Sequence, residues 1–166
     1  MIETVRAFGY RVFYGDATRL DLLRTAGAAS ARILVVSVDE VAQSLKIVDL
    51  VKEHFPQLEI VARARDVSHW NALRDRGVMR VERELFESSL RSARTVLELL
   101  GQPPDDALEA AERFRRHNLD LFERMYPHRK NRAKVIAVAR QGRMQLEAQM
   151  AQEREQLSQQ RPNDGG

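Results

Sequence analysis

The amino-acid sequence predicts an α/β protein: a doubly wound parallel sheet followed by long C-terminal helices. Three observations carry this. Short strand-like runs at 32–36 and 58–63 alternate with segments whose apolar residues recur at helical spacing. Ile33-Leu34-Val35-Val36 is apolar without alternation, as suits a strand buried on both faces of a parallel sheet. From residue 83 the strand signals stop and only helical stripes continue.

Taken in order, Tyr10-Arg11-Val12-Phe13-Tyr14 reads as a short strand running into the turn Gly15-Asp16. Thr18 is placed to cap a helix carrying Leu20, Leu22 and Leu23, with Gly27 as its stop before the strand at 32–36. Val41, Leu45, Val48 and Val51 define an amphipathic helix ending near His54-Phe55-Pro56. Next come a strand at 58–63, a helix around Trp70 and Leu73 stopped by Gly77, and a strand at 78–81. A helix over 84–100 follows, with Phe86, Leu90, Ala93, Leu97 and Leu100 on one face and Gly101 at its end. Asp105 or Asp106 is placed to cap a second long helix whose inner face is Leu108, Ala111, Phe114, Asn118, Leu121 and Met125, up to Pro127. The remainder is helical through Met150, with seven glutamines between 141 and 160 that suggest a solvated, fraying end.

Composition narrows the function. The chain has 166 residues, 43% hydrophobic and 31% charged, as in globular proteins, and no stretch approaches the roughly 20 apolar residues that cross a bilayer. Met1-Ile2-Glu3-Thr4-Val5-Arg6 lacks the basic start and apolar core of a secretory signal, so a cytosolic location is expected. The absence of cysteine removes disulfides, thiol nucleophiles and thiolate metal sites. Net charge is +3, but 27 Lys and Arg are interleaved with 24 Asp and Glu, so no nucleic-acid partner is expected. His54, His69, His117 and His128 show no i, i+4 pairing, and neither a metal centre nor a catalytic histidine is expected.

In an open parallel sheet ligands bind beyond the carboxyl ends of the strands, here the turns at 15–18, 37–40 and 63–66. Each turn holds an aspartate, Asp16, Asp39 or Asp66, which could equally cap a helix or close the turn. Arg63 and Arg65 suit an anionic ligand through two-pronged hydrogen bonds, with surface salt bridging as the equal alternative. Arg83, three residues before Phe86 at the head of the first long helix's stripe, and Asn118, in the stripe of the second, are polar groups where apolar ones are expected. Each therefore needs a protein or ligand partner.

The string from Phe8 to Leu23, FGYRVFYGDATRLDLL, resembles the third strand and following helix of the RCK (KTN, TrkA-N) domain family. The segments 51–56, 60–66, 81–84 and 114–118 resemble the glutathione-gated potassium efflux (Kef) branch, and the resemblance covers residues 2 to about 150. It implies a Rossmann-like domain that binds an adenine nucleotide (AMP or NAD(H)), forms a homodimer through the helices after the sheet, and regulates a membrane potassium/proton antiporter at the inner face of the membrane. Asp16, Ala17 and Thr18 would lie against the adenosine; Arg63 and Arg65, singled out above as suited to an anion, are the further candidates for nucleotide binding. Arg83 and Asn118 would hold glutathione, and Phe8 would be the bulky residue that a glutathione conjugate displaces. A flavodoxin-like quinone reductase is the ancillary partner the family implies.

The sequence begins after the position of the family's first strand and G-x-G-x-x-G phosphate loop, so the Rossmann-like sheet is expected to be N-terminally truncated and nucleotide binding impaired. Three regions follow: a truncated RCK N domain at 1–82, dimerisation and ligand-binding helices at 83–126, and a helical tail at 127–166, disordered at its end. The expected role is regulation and not catalysis. The competing readings are a stand-alone Rossmann-type oxidoreductase and a purely structural dimerisation module.

Overall fold

A computed structural model describes residues 13–160. The chain forms two compact units divided after Glu87. The first contains α1 (Leu20–Thr25), β1 (Ile33–Val36), α2 (Val41–His54), β2 (Glu59–Ala64), α3 (Val67–Asp75) and β3 (Arg80–Arg83). The three strands lie in the order β1-β2-β3, all parallel, with Val36 opposite Ala62 and Ala64 opposite Arg83. The expected strand–helix alternation is therefore present. The strand expected at 10–14 falls mainly outside the described residues; Phe13 and Tyr14, its last two, are exposed and not in a strand.

The pleat of the sheet decides what is buried. Val36, Ile60, Ala62 and Ala64 point to the face covered by α2 and α3, where they join Ile47, Val48, Val51, Trp70 and Leu73. Each large aliphatic side chain buried there contributes about 1.5–3 kcal/mol. Val48, Val51 and Leu73 have no exposed surface at all. On the opposite face Ile33 is 59% exposed and Val35 65%. β1 is thus covered on one face only among the described residues, a departure from the two-sided burial expected of an unbroken apolar run.

Several boundaries differ from the sequence reading. Arg19, not Thr18, is the N-cap residue of α1, because Thr18 donates its N–H to Asp16 Oδ1 at 2.8 Å in a turn ahead of the helix. β3 begins two residues later than expected, since Met79 is spent in the exit from α3. That exit is built on Gly77, whose φ of +73° lets its N–H reach Arg74 O and the Val78 N–H reach Leu73 O. With β3 displaced, Arg83 becomes the last strand residue and not the head of a helix.

The helices that follow are α4 (Phe86–Leu99), α5 (Pro104–Met125), a 3₁₀ turn at Tyr126–His128, and α6 (Arg132–Gln160). Pro104 occupies the first turn of α5, where its missing N–H costs nothing, and Asp105 and Asp106 lie in that turn beside the positive end of the helix dipole. Neither aspartate caps it, as Pro103 is the N-cap residue. Pro127 breaks the helix into the 3₁₀ turn, and Asn131 Oδ1 accepts the Lys134 N–H at 3.1 Å to restart it. α5 and α6 form a hairpin whose closest approach is at Gly142: a Cβ there would lie 2.7 Å from Leu121 Cδ1. The glutamine-rich segment is helical to Gln160. Among the described residues no helix is long and apolar enough to cross a membrane.

Candidate functional site

Parallel pairing brings the carboxyl ends of the strands, Val36, Ala64 and Arg83, to one edge, the place where this architecture binds ligands. A shallow depression lined by Lys52, Leu58, Gly77 and Met79 lies at the opposite end of the strands.

Arg63 spans the edge. Its Nη2 donates to Ser37 O at 2.7 Å and to Asp39 Oδ1 in the loop after β1, while Nη1 lies 3.5 Å from Glu84 Oε1 just beyond β3. A guanidinium so engaged ties three strand ends together. The alternative of salt bridging is what the structure adopts for this residue. The Arg65 side chain, in contrast, is exposed and makes no hydrogen bond or ion pair among the described residues. It is the uncommitted cation of this edge.

The three aspartates have distinct local duties. Asp16 closes its turn on Thr18, whose backbone and side-chain hydrogen bonds hold the Asp16 carboxyl below its ordinary range, with smaller help from Lys46 and Arg19. Ala17 and Thr18 are half-buried beside it. Asp39 pairs with Arg63. Asp66 is the N-cap of α3 and accepts the His69 N–H at 2.8 Å.

His69 is the functional-looking group that sequence reasoning passed over. It is 2% exposed, and its Nδ1 accepts the Arg65 N–H at 3.2 Å, while its Nε2 lies 3.1 Å from Oγ of Ser44, itself 1% exposed. An acceptor at Nδ1 fixes the hydrogen on Nε2, so the ring donates to Ser44 and cannot take its proton as a general base. The pair is a buried structural contact and not a nucleophile–base dyad. Burial pushes the His69 pKa down, and Asp66 offsets this only in part. One signal for it was present: Val41, Ser44, Val48 and Val51 follow spacings of three, four and three, which set Ser44 on the inner stripe in place of Leu45.

Arg83 is half-buried at the end of β3, with its guanidinium 3.6 Å from the Phe86 ring centroid. Burial lowers its pKa, against Glu87 and Glu82, but a guanidinium stays charged. In the other unit, Asn118 lies on α5 with a buried Oδ1 that has no hydrogen-bond partner among the described residues. Phe8 lies outside the described residues. No group of three or more His, Asp or Glu suited to a metal occurs among the described residues.

Comparison with known proteins agrees with this architecture. The TrkA-N domain family matches residues 1–84, and the potassium efflux system KefB C-terminal domain family matches residues 88–165. Glutathione-regulated potassium-efflux system protein KefC of Escherichia coli is 46% identical over 157 residues, and the Shigella boydii protein of that name is equally so. The aligned segment is 95% of this chain but 25% of theirs, so the chain spans a quarter of the length of these relatives. Among solved structures, the Shewanella denitrificans Kef CTD in its AMP-bound form is similar with a TM-score of 0.68 and 39% identity, over 70% of this chain and 74% of that one. The TrkA-N domain of the E. coli inner membrane protein ybaL is similar with a TM-score of 0.51 and 26% identity, over 60% and 70%.

Proposed function

This chain belongs to the TrkA-N family, in the branch formed by the C-terminal domains of Kef potassium-efflux systems, and on that premise we propose that it is a ligand-sensing regulatory domain. In this reading an adenine nucleotide, AMP or NAD(H), occupies the carboxyl edge of the sheet. Glutathione and its conjugates gate a potassium/proton antiporter through Arg83, Asn118 and Phe8. The chain acts at the inner face of the membrane, as a homodimer, with a flavodoxin-like quinone reductase as ancillary partner. The region 1–82 supplies the nucleotide domain, 83–126 the dimerisation and ligand helices, and 127–166 the tail.

The observation that carries the reading is the unsatisfied Asn118 Oδ1. A buried acceptor without a donor costs about 1–3 kcal/mol, a cost that a ligand N–H removes. Glutathione offers peptide N–H groups for such an acceptor and two carboxylates for an arginine fork. Asp16, Ala17 and Thr18 take the adenosine, and the free Arg65 side chain faces the phosphate more readily than Arg63, which already serves Asp39 and Glu84. Regulation, and not catalysis, fits a site whose buried serine and histidine are held in the wrong tautomer for proton abstraction.

The test is calorimetric titration of the chain with AMP, NADH and glutathione, beside a turnover screen with nicotinamide substrates. Saturable binding of glutathione, with AMP bound only weakly as expected of the impaired nucleotide site, and no turnover is the expected result. Turnover above background would replace the proposal with the oxidoreductase reading, and no binding of any of the three would leave the structural-module reading.

A further inference from the structure

We propose that His69 is a proton-operated latch on the carboxyl end of β2: gaining a proton at Nδ1 expels the Arg65 amide and frees the Arg65–Asp66 turn. The inference starts from geometry. The neutral ring is fully committed, with Nε2–H on Ser44 Oγ at 3.1 Å and the Nδ1 lone pair on the Arg65 N–H at 3.2 Å. A second proton has only Nδ1 to occupy. Imidazolium carries a hydrogen on both nitrogens, so two donors would then face each other and one must leave.

The segment that moves is held to His69 twice, because Asp66 Oδ1 also accepts the His69 backbone N–H at 2.8 Å. Releasing the Arg65 amide therefore loosens a turn that is pinned from one residue. The groups facing the ring define the balance. From α2 it meets the uncharged Ser44 hydroxyl; from the end of β2, a peptide N–H; and from its own cap, the Asp66 carboxylate, which favours the cation. Burial outweighs Asp66 and keeps the ring neutral, so the latch is closed at neutral pH and opens below the ordinary histidine range. Because Arg65 carries the uncommitted side chain of the ligand edge, the device couples acidity to the shape of that edge.

The experiment titrates the ¹⁵N-labelled full chain from about pH 8 to about pH 5, following the Arg65 amide resonance and the fluorescence of the neighbouring buried Trp70. Both are expected to shift with one midpoint below about 6.5, while the amides of β1 and β3 stay in place, and His69→Gln abolishes both shifts. An Arg65 amide that does not move in the folded protein, an unaltered transition in His69→Gln, or a shift seen only together with global unfolding would overturn the proposal. Should His69→Gln fail to fold, Ser44→Ala decides. Loss of the Nε2–H acceptor disfavours the cation more than the neutral ring, so the midpoint must fall; an unchanged midpoint removes the latch.

Discussion

Gly142 and Leu121 meet so closely in the α5–α6 hairpin that a Cβ on the glycine would lie 2.7 Å from Leu121 Cδ1 and 3.2 Å from Cδ2. In an exposed helix Gly→Ala stabilises by about 0.5–1 kcal/mol. Here the leucine must leave its rotamer, and overpacking costs about 1–3 kcal/mol. Gly142→Ala is expected to lower stability in urea titrations, whereas in a Leu121→Ala background the same change should raise it. A stabilising Gly142→Ala in the native background would contradict the contact.

His69 gives a pH dependence with a definite sign. Its pKa is depressed in the folded state, so the unfolded chain binds the proton more tightly. The stability it contributes is complete above the unfolded value, about 6.5, and is lost as pH falls through the lower folded value. Thermal melts of wild type and His69→Gln should therefore converge in acid relative to their difference above pH of about 7. Parallel curves across that window would show that the ring does not titrate as described.

Asn118→Leu separates stability from binding. Replacing a buried, unpartnered acceptor by an apolar group of similar size removes a desolvation cost, so the melting temperature should hold or rise while glutathione binding is lost. Calorimetry and a thermal melt on one sample decide it. Retained glutathione affinity would remove Asn118 from the ligand site.

Arg63 and Arg65 should part company on substitution. Arg65→Met is expected to weaken AMP about tenfold or more, by loss of a charge-assisted hydrogen bond of about 1.5–3 kcal/mol. Arg63→Met should mainly cost stability, about 1 kcal/mol or less for exposed pairs, through loss of the ties to Asp39 and Glu84. Equal losses of AMP affinity in both variants would assign the phosphate to Arg63 as well.

The proposed homodimer is best probed at Val96 and Leu100, 53% and 77% exposed, and not at Leu90, which is 7% exposed within the chain. Leu100→Glu should shift the sedimentation equilibrium toward monomer while the chain still melts cooperatively, whereas Leu90→Glu disrupts the fold. A wild-type chain that is monomeric at high micromolar concentration would contradict the proposed dimer.

Much of the fold was legible because periodicity and glycine punctuation speak locally. The period-3.6 stripe of α2 and the stops at Gly27, Gly77 and Gly101 each correspond to a buried face or a left-handed helix exit. What was not legible depends on contacts between distant segments. The Arg63 bridges run to residues 24 and 26 positions away in the sequence, and the Ser44–His69 contact spans 25. The burial of β1 could not be read from its own four residues, since which face is covered depends on helices distant in the sequence, and Ile33 and Val35 are exposed among the described residues. The strand expected at 78–81 lies at 80–83, taking in Arg83, because the Gly77 exit consumes two residues before pairing resumes, an offset that local composition does not encode.

Placing Arg83 on the last rung of a parallel ladder, opposite Ala64, changes its thermodynamic character. The first turn of a helix frays, and a ligand bound there must order the backbone before it is held. A strand residue already paired to β2 has its φ and ψ fixed, and stacking over Phe86 restricts its side chain as well. Ligand capture by Arg83 would then show a small entropic penalty and a fast, simple association. Any slow phase in ligand response would arise in other parts of the protein.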